Sequence, residues 1–145
     1  MSFLRNALSI SGFIELSFEI LRDEFPTAYL LLCSQLAPRT VQMFINDEVV
    51  TLVFDPGGVH LRQDVRTPTL ELHTSRQTIL DVIDAHLALH EAILVDAILL
   101  RGDIEDLAEF HDGLLTYVRG AVRCPSFPAL LDRFRYTSSN ATFSQ

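Results

Sequence analysis

The chain has no lysine. All eleven basic residues are arginine, set against nineteen acidic ones, for a net charge of −8. Without lysine there is no P-loop lysine, no Schiff base and no Ser-x-x-Lys dyad. An acidic chain with no basic run also lacks the electrostatic footprint of a nucleic-acid binder, so no nucleic-acid partner is expected. Two cysteines, Cys33 and Cys124, are too few for a disulfide scaffold or a cysteine-rich metal site. Cys33 lies in an apolar run and reads as a small core residue. No uninterrupted apolar run approaches the roughly 18 residues that span a bilayer, so no transmembrane segment is expected; peripheral membrane contact stays open. No small-residue cleavage pattern closes the apolar stretch after Arg5, which argues against a signal peptide and makes the cytoplasm the expected setting.

What is abundant is apolar. The 145 residues are 48% hydrophobic, with a mean hydropathy of +0.25. That length suffices for one domain with a real core. The surplus calls for a cavity, an oligomer interface or a lipid-facing surface.

Phe3, Leu4, Ala7 and Leu8 fit a short helix that Ser11-Gly12 would interrupt. From Phe13 to Leu21 two periods compete. Ile14, Leu16, Phe18 and Ile20 alternate as in a strand, while Phe13, Ser17, Ile20 and Leu21 could line a helix. The punctuation at Asp23-Glu24-Phe25-Pro26 favours a helix, with a second one from Pro26 to Leu36. Ala37-Pro38 ends that one.

The period then becomes two. Strands are expected at Val41–Asn46, Val49–Asp55, Val59–Arg62 and Thr69–His73, with turns at Asn46-Asp47-Glu48 and Pro56-Gly57-Gly58. Four short neighbours with tight turns argue an antiparallel sheet. Thr74-Ser75-Arg76-Gln77 fits a capping box, opening a helix with Ile79, Val82, Ile83 and Leu87 on one face. A short helical segment follows at Ala88–Leu94. From Asp96 to Leu107 an apolar strand stops at Gly102, where Asp103 offers a carboxylate to a long helix running to about Arg123. That helix should bury Ile104, Leu107, Ala108, Leu114, Val118, Ala121 and Val122. Cys124-Pro125 breaks it, and a last helix holds Phe127, Leu130, Leu131 and Phe134. The expected organisation is an N-terminal helical segment (1–37), one α+β domain (38–136) and a loose polar tail (137–145). Asn140-Ala-Thr is a glycosylation sequon by spelling only.

This order of elements resembles the sterol carrier protein type-2 family between about Thr40 and Phe134. The resemblance rests on Val50-Thr-Leu-Val-Phe-Asp-Pro-Gly-Gly, on Pro68-Thr-Leu-Glu-Leu-His-Thr-Ser leading into a helix, and on Ala97-Ile-Leu-Leu-Arg-Gly-Asp before the long helix. One departure is Ala85-His86-Leu87, where the family often closes its helix with glycine. The resemblance implies a five-stranded, mainly antiparallel sheet packed by helices on one face, with an apolar tunnel between the layers. It also implies binding of a hydrophobic small molecule such as a lipid, sterol, isoprenoid or acyl chain, without enzymatic activity. No cofactor or metal comes with it, and no catalytic residue carries over.

Alternation separates the two faces of the sheet. Facing helices are Val41, Met43, Ile45, Val50, Leu52, Phe54, Val59, Leu61, Leu70, Leu72, Ile98 and Leu100. From these and the helices, the expected ligand-binding residues are Met43, Leu52, Phe54, Leu72, Ile83, Ile98, Leu100, Leu107, His111, Leu114, Tyr117 and Phe134. Each is equally a residue type of an ordinary core. The helix from Phe127 to Phe134 is the natural lid. The opposite face mixes Gln42, Thr51, His60, Arg62, Glu71, His73 and Arg101 with Phe44, Val49, Val53 and Leu99. Open faces are normally polar, so a homodimer or a docked N-terminal helix is expected there.

His86 and His90 have the i, i+4 spacing of a metal pair, but no third ligand is visible and a solvated helix edge is the simpler reading. His111 falls on an apolar stripe. It is either a core histidine bonded to a backbone carbonyl or a polar group inside the tunnel that orients a ligand or acts as an acid–base. The second reading would make an isomerase or cyclase of the same pocket. A filled core would make a protein-interaction domain. Gly113 and Gly120, one heptad apart, each cost a helix about 1 kcal/mol and call for close packing or room for a ligand.

Overall fold

Alternation of apolar and polar residues places the strands. The computed structural model describes residues 8–63 and 67–143, with side chains of the last helix described as far as Tyr136. Five strands, β1 (Thr40–Ile45), β2 (Glu48–Asp55), β3 (Gly58–Arg62), β4 (Leu70–Thr74) and β5 (Leu99–Arg101), form one sheet in the order β3-β2-β1-β4-β5. β1 pairs antiparallel with β2, β2 with β3, and β4 with β5. β1 and β4 are parallel, so the sheet is mixed and mostly antiparallel. This corrects the all-antiparallel order expected for the first four strands. Parallel neighbours need a long connection, and here the chain between β1 and β4 passes through β2 and β3, which pair on the other side of β1. The register stacks Val50, Met43, Leu72 and Leu100 in one row across four strands, all on the inner face.

Among the described residues six helices follow the 3.6 period: α1 (Ile10–Glu24), α2 (Pro26–Leu36), α3 (Arg76–Ile83), α4 (Leu89–Leu94), α5 (Ile104–Ala121) and α6 (Phe127–Phe143). Residues 13–21 are helical, with Phe13, Ile14, Ser17, Phe18 and Leu21 buried. Ser11-Gly12 does not interrupt the chain there. Ser9 caps α1 by accepting from Gly12 N at 3.0 Å, so the glycine sits in the first turn. The helix expected at Phe3–Leu8 falls mostly outside the described residues. The cap of α3 is Ser75 rather than Thr74, and Ser75 Oγ accepts from Thr78 N. Asp103 stands at the N-cap of α5 without a side-chain cap bond; Asp106 in the first turn accepts instead from Arg39 Nε at 2.8 Å. α6 continues past Thr137 to Phe143, beyond the expected start of the tail.

The inward face of α5 differs from the expected stripe. Its buried residues are Phe110, Gly113, Gly120 and Ala121, while Ile104 is 86% and Val122 55% exposed. The glycines set this face, because α2 lies against it too closely for side chains. A Cβ on Gly113 would stand 2.9 Å from Leu36, and one on Gly120 2.8 Å from Leu21 and 3.0 Å from Ala28.

α1 packs on the inner layer with the other helices. Its Phe13 ring stacks on Phe134 of α6 at 4.0 Å and 16°. Residues 10–24 therefore do not cover the outer sheet face. There Phe44 stacks on His73 (4.5 Å, 7°), and the row Val49–Phe44–His73–Leu99 crosses four strands.

Candidate functional site

Between the inner face of the sheet and the helices lies a cavity of about 130 Å³. The sheet contributes Met43, Ile45, Leu52, Phe54 and Leu72, together with Thr74; α1 and α2 contribute Phe13, Ile14, Phe18, Leu32 and Leu36. The rest of the wall is Ile79, Val82 and Ile83 of α3, Leu89 of α4, Ile98, and Phe110, Gly113, Leu114, Tyr117 and Val118 of α5. Side chains alternate across a strand and repeat at three and four on a helix, so apolar faces of both kinds meet here.

The wall is apolar throughout, because its few hydroxyls are engaged elsewhere. Tyr117 donates to Ser17 Oγ at 2.8 Å, and Ser17 donates in turn to the Ile14 carbonyl at 2.7 Å. Burial pushes the Tyr117 hydroxyl up to about 12, a rise the bond to Ser17 partly offsets. Thr74 Oγ1 donates to the Ala97 carbonyl at 2.8 Å. Buried polar groups satisfied in this way offer no free partner to a ligand.

Eight of the expected ligand-binding residues come together on this wall: Met43, Leu52, Phe54, Leu72, Ile83, Ile98, Leu114 and Tyr117. Leu100, Leu107, His111 and Phe134 do not reach it. Leu100 and Leu107 are half-buried at the margin of the core. Phe134 is fully buried, but behind Phe13. His111 sits on the flank of α5, its side chain 37% exposed and Nδ1 3.7 Å from Asp112 Oδ1. One residue turns a helix by about 100°, and the glycines aim Phe110 inward in place of His111. Neither reading of His111 as a core or tunnel group holds. Among the described residues none of α6 lines the wall, and Phe127–Phe134 is therefore no lid over this cavity.

Sequence reasoning missed the contribution of α1 and α2, having set residues 1–37 apart as their own segment. The signal was Ser17, a small polar residue on an otherwise apolar helical face. His86 and His90 are not a helical pair either, since His86 lies between α3 and α4 and His90 on α4. Among the described residues no three His, Cys, Asp or Glu side chains converge as metal ligands. Among them also, no helix is long and apolar enough to cross a membrane.

A second, polar cleft of about 320 Å³ lies where α1 meets the edge strand β3. Its walls are Glu15, Phe18, Glu19 and Arg22 of α1, Tyr29 of α2, and Val59, His60, Leu61 and Arg62 of β3. Tyr29 ties the layers by accepting from Val59 N at 3.2 Å, and burial raises its hydroxyl above the usual range. Gly57 N, which donates to Asp55 Oδ1 at 2.9 Å, and His60 Nε2 beside Oδ2, also at 2.9 Å, hold the Asp55 carboxyl below its usual range.

No family model matches the chain, and no curated protein does. Solved structures do match. One is a UbiJ-SCP2 ubiquinone synthesis protein, with a TM-score of 0.58 at 15% identity over 76% of this chain and 88% of that one. A crystal structure of sterol carrier protein 2 gives 0.56 at 14% identity, covering 77% and 95%. The sterol carrier protein domain 2 of Helicoverpa armigera gives 0.53 at 14% identity, covering 81% and 91%. At such identities the likeness is one of architecture. The chain has the fold of the sterol carrier protein 2 domains.

Proposed function

We propose that this protein binds a hydrophobic small molecule, a lipid, isoprenoid, sterol or acyl chain, in the cavity between sheet and helices, without chemical conversion. The observation that carries the reading is a cavity wall in which every lining group is apolar or has its hydroxyl engaged within the protein. Such a wall gains from burying hydrocarbon, about 0.8 kcal/mol per methylene before ordering costs, and offers nothing to a polar group. The names of the fold's other members, sterol carrier proteins and a ubiquinone synthesis protein, support a lipid or isoprenoid. The acid–base reading loses its residue, because His111 lies outside the cavity.

Native mass spectrometry of protein purified from cells tests the proposal. A co-purifying hydrophobic molecule that is lost in Leu114→Trp, a substitution filling the wall from α5, is the expected result. A protein that carries nothing and takes up no fluorescent fatty acid would overturn it. A homodimer through the outer sheet face belongs to the proposal as well, supported by Val49 and Leu99, 56% and 49% exposed on that face. Sedimentation showing a monomer at all concentrations would remove it.

A further inference from the structure

We propose that the polar cleft between α1 and β3 is the head-group site of the same ligand, that Phe18 is the partition between cleft and cavity, and that the head carries no net charge. This rests on the reading of the cavity as a hydrophobic binding site.

The first argument is size. Ligand pockets generally measure about 300–1,000 Å³, whereas the cavity holds about 130 Å³. An apolar cavity of about 150 Å³ takes benzene. The inner chamber alone therefore accepts a segment of hydrocarbon and no more. It also has no free polar atom to orient a ligand. The cleft adds about 320 Å³ of polar space. Joined, the two reach the ordinary range.

The second argument is contiguity. Among the described residues Phe18 alone borders both spaces. Its ring, buried in the core, lies edge-on to Phe54 (6.3 Å, 82°) and tilted against Tyr117 (5.5 Å, 58°). Turning a phenyl ring about its side-chain torsions breaks no hydrogen bond and costs dispersion contacts, small singly and considerable together, so it accompanies ligand entry rather than the resting state. Turning it opens the wall between tail and head.

The third argument is charge. Glu15 and Glu19, one turn apart on α1, face the same cleft as Arg22 and Arg62. Arg22 already donates to Asp23 Oδ1 at 3.1 Å, and His60 to the Asp55 carboxylate at 2.9 Å. Two carboxylates disfavour an anion and two guanidiniums a cation, while donors and acceptors are both present. A hydroxyl or another neutral hydrogen-bonding head meets a partner of each kind.

The test uses three probes with one unlabelled alkyl chain, ending in an alcohol, a carboxylate or an ammonium group, titrated by calorimetry and followed in time by tyrosine fluorescence. The full-length protein should bind the alcohol about tenfold more tightly than either charged probe, because like-charge contacts work against the latter. The double variant Glu15→Gln/Glu19→Gln should turn the preference toward the carboxylate, and Arg22→Gln/Arg62→Gln toward the ammonium. All four side chains lie at the surface cleft, so the fold does not depend on them. Stopped-flow uptake should quicken in Phe18→Leu and slow in Phe18→Trp. Wild type that binds the probes, with selectivity unmoved by both double variants and rates unmoved by both Phe18 variants, would overturn the inference while leaving the cavity reading intact. Wild type that binds none of the three overturns both.

Discussion

Arg76 and Glu48 are joined by a charge-assisted hydrogen bond, Nη2 to Oε2 at 2.8 Å. The same carboxylate accepts from Ile10 N at 3.0 Å, and the same guanidinium donates to the Leu8 carbonyl at 3.2 Å and lies 5.4 Å over the Phe134 ring. One pair thus fastens the starts of α1, β2 and α3 to α6 at one end of the helical layer. Arg76→Ala should destabilise the protein by about 2 kcal/mol, as expected for hydrogen bonds to charged groups. Denaturant unfolding with an unchanged slope would measure it. Arg76→Lys should recover only part, since an ammonium lacks the planar fork that meets two acceptors at once.

Ala85 adopts φ +62, in the left-handed region. It occupies the turn where the sterol carrier protein type-2 resemblance leads one to expect glycine. An L-residue with a Cβ pays about 1–2 kcal/mol there. Glycine escapes that penalty and loses part of the gain to its greater freedom in the unfolded chain. Ala85→Gly should therefore raise stability by about 0.5–1 kcal/mol, seen as a higher Tm. A lower Tm would show that the turn between α3 and α4 is unstrained.

Gly120 and Gly113 predict different outcomes for the same substitution. A Cβ at Gly120 meets Leu21 at 2.8 Å and the Ala28 Cβ at 3.0 Å, and the latter has no rotamer to give. Overpacking of this kind costs about 1–3 kcal/mol, which exceeds the roughly 1 kcal/mol gained in helix propensity, so Gly120→Ala should destabilise. At Gly113 the obstacle is the flexible end of Leu36, 2.9 Å away, and Leu36 lines the cavity. Gly113→Ala should leave stability nearly unchanged and weaken binding of a fluorescent fatty acid as Leu36 shifts into the cavity. Parallel unfolding and titration curves separate the two.

Tyr117 should make stability fall in alkali. Its hydroxyl is raised to about 12 in the folded protein, against about 10 in the unfolded chain. Between these values the unfolded state has released the proton and the native state has kept it. Stability is therefore full below about pH 10 and declines by about 1.4 kcal/mol per pH unit above it. Tyr29 is raised as well and adds in the same direction. Tyr117→Phe should flatten the decline without abolishing it, measured as urea midpoints on both sides of about pH 10. An identical slope in the variant would show that the hydroxyl titrates normally.

Much of the candidate site was legible where the wall is made of strands. Met43, Leu52, Phe54 and Leu72 follow from alternation alone, because a period of two has only two faces and one of them carries charge. The helical side was legible only in part. On α5 an apolar stripe through Ile104, Leu107 and His111 looked as good as the true face through Phe110, Gly113 and Tyr117. A helix presents a continuous circumference, and the side that turns inward depends on what packs against it.

By itself the sequence determined the elements, the breaks between them at Pro26, Ala37-Pro38 and Cys124-Pro125, and the apolar character of the layer between sheet and helices. These are local matters of period, capping and backbone restriction. Tertiary structure alone decided that β4 lies parallel beside β1, that α1 and α2 line the cavity, and that His111 lies outside its wall. It also decided that Phe18 stands between an apolar chamber and a charged cleft. Each of these depends on contacts between residues far apart in the chain, chief among them the approach of α2 to Gly113 and Gly120, which no local pattern records.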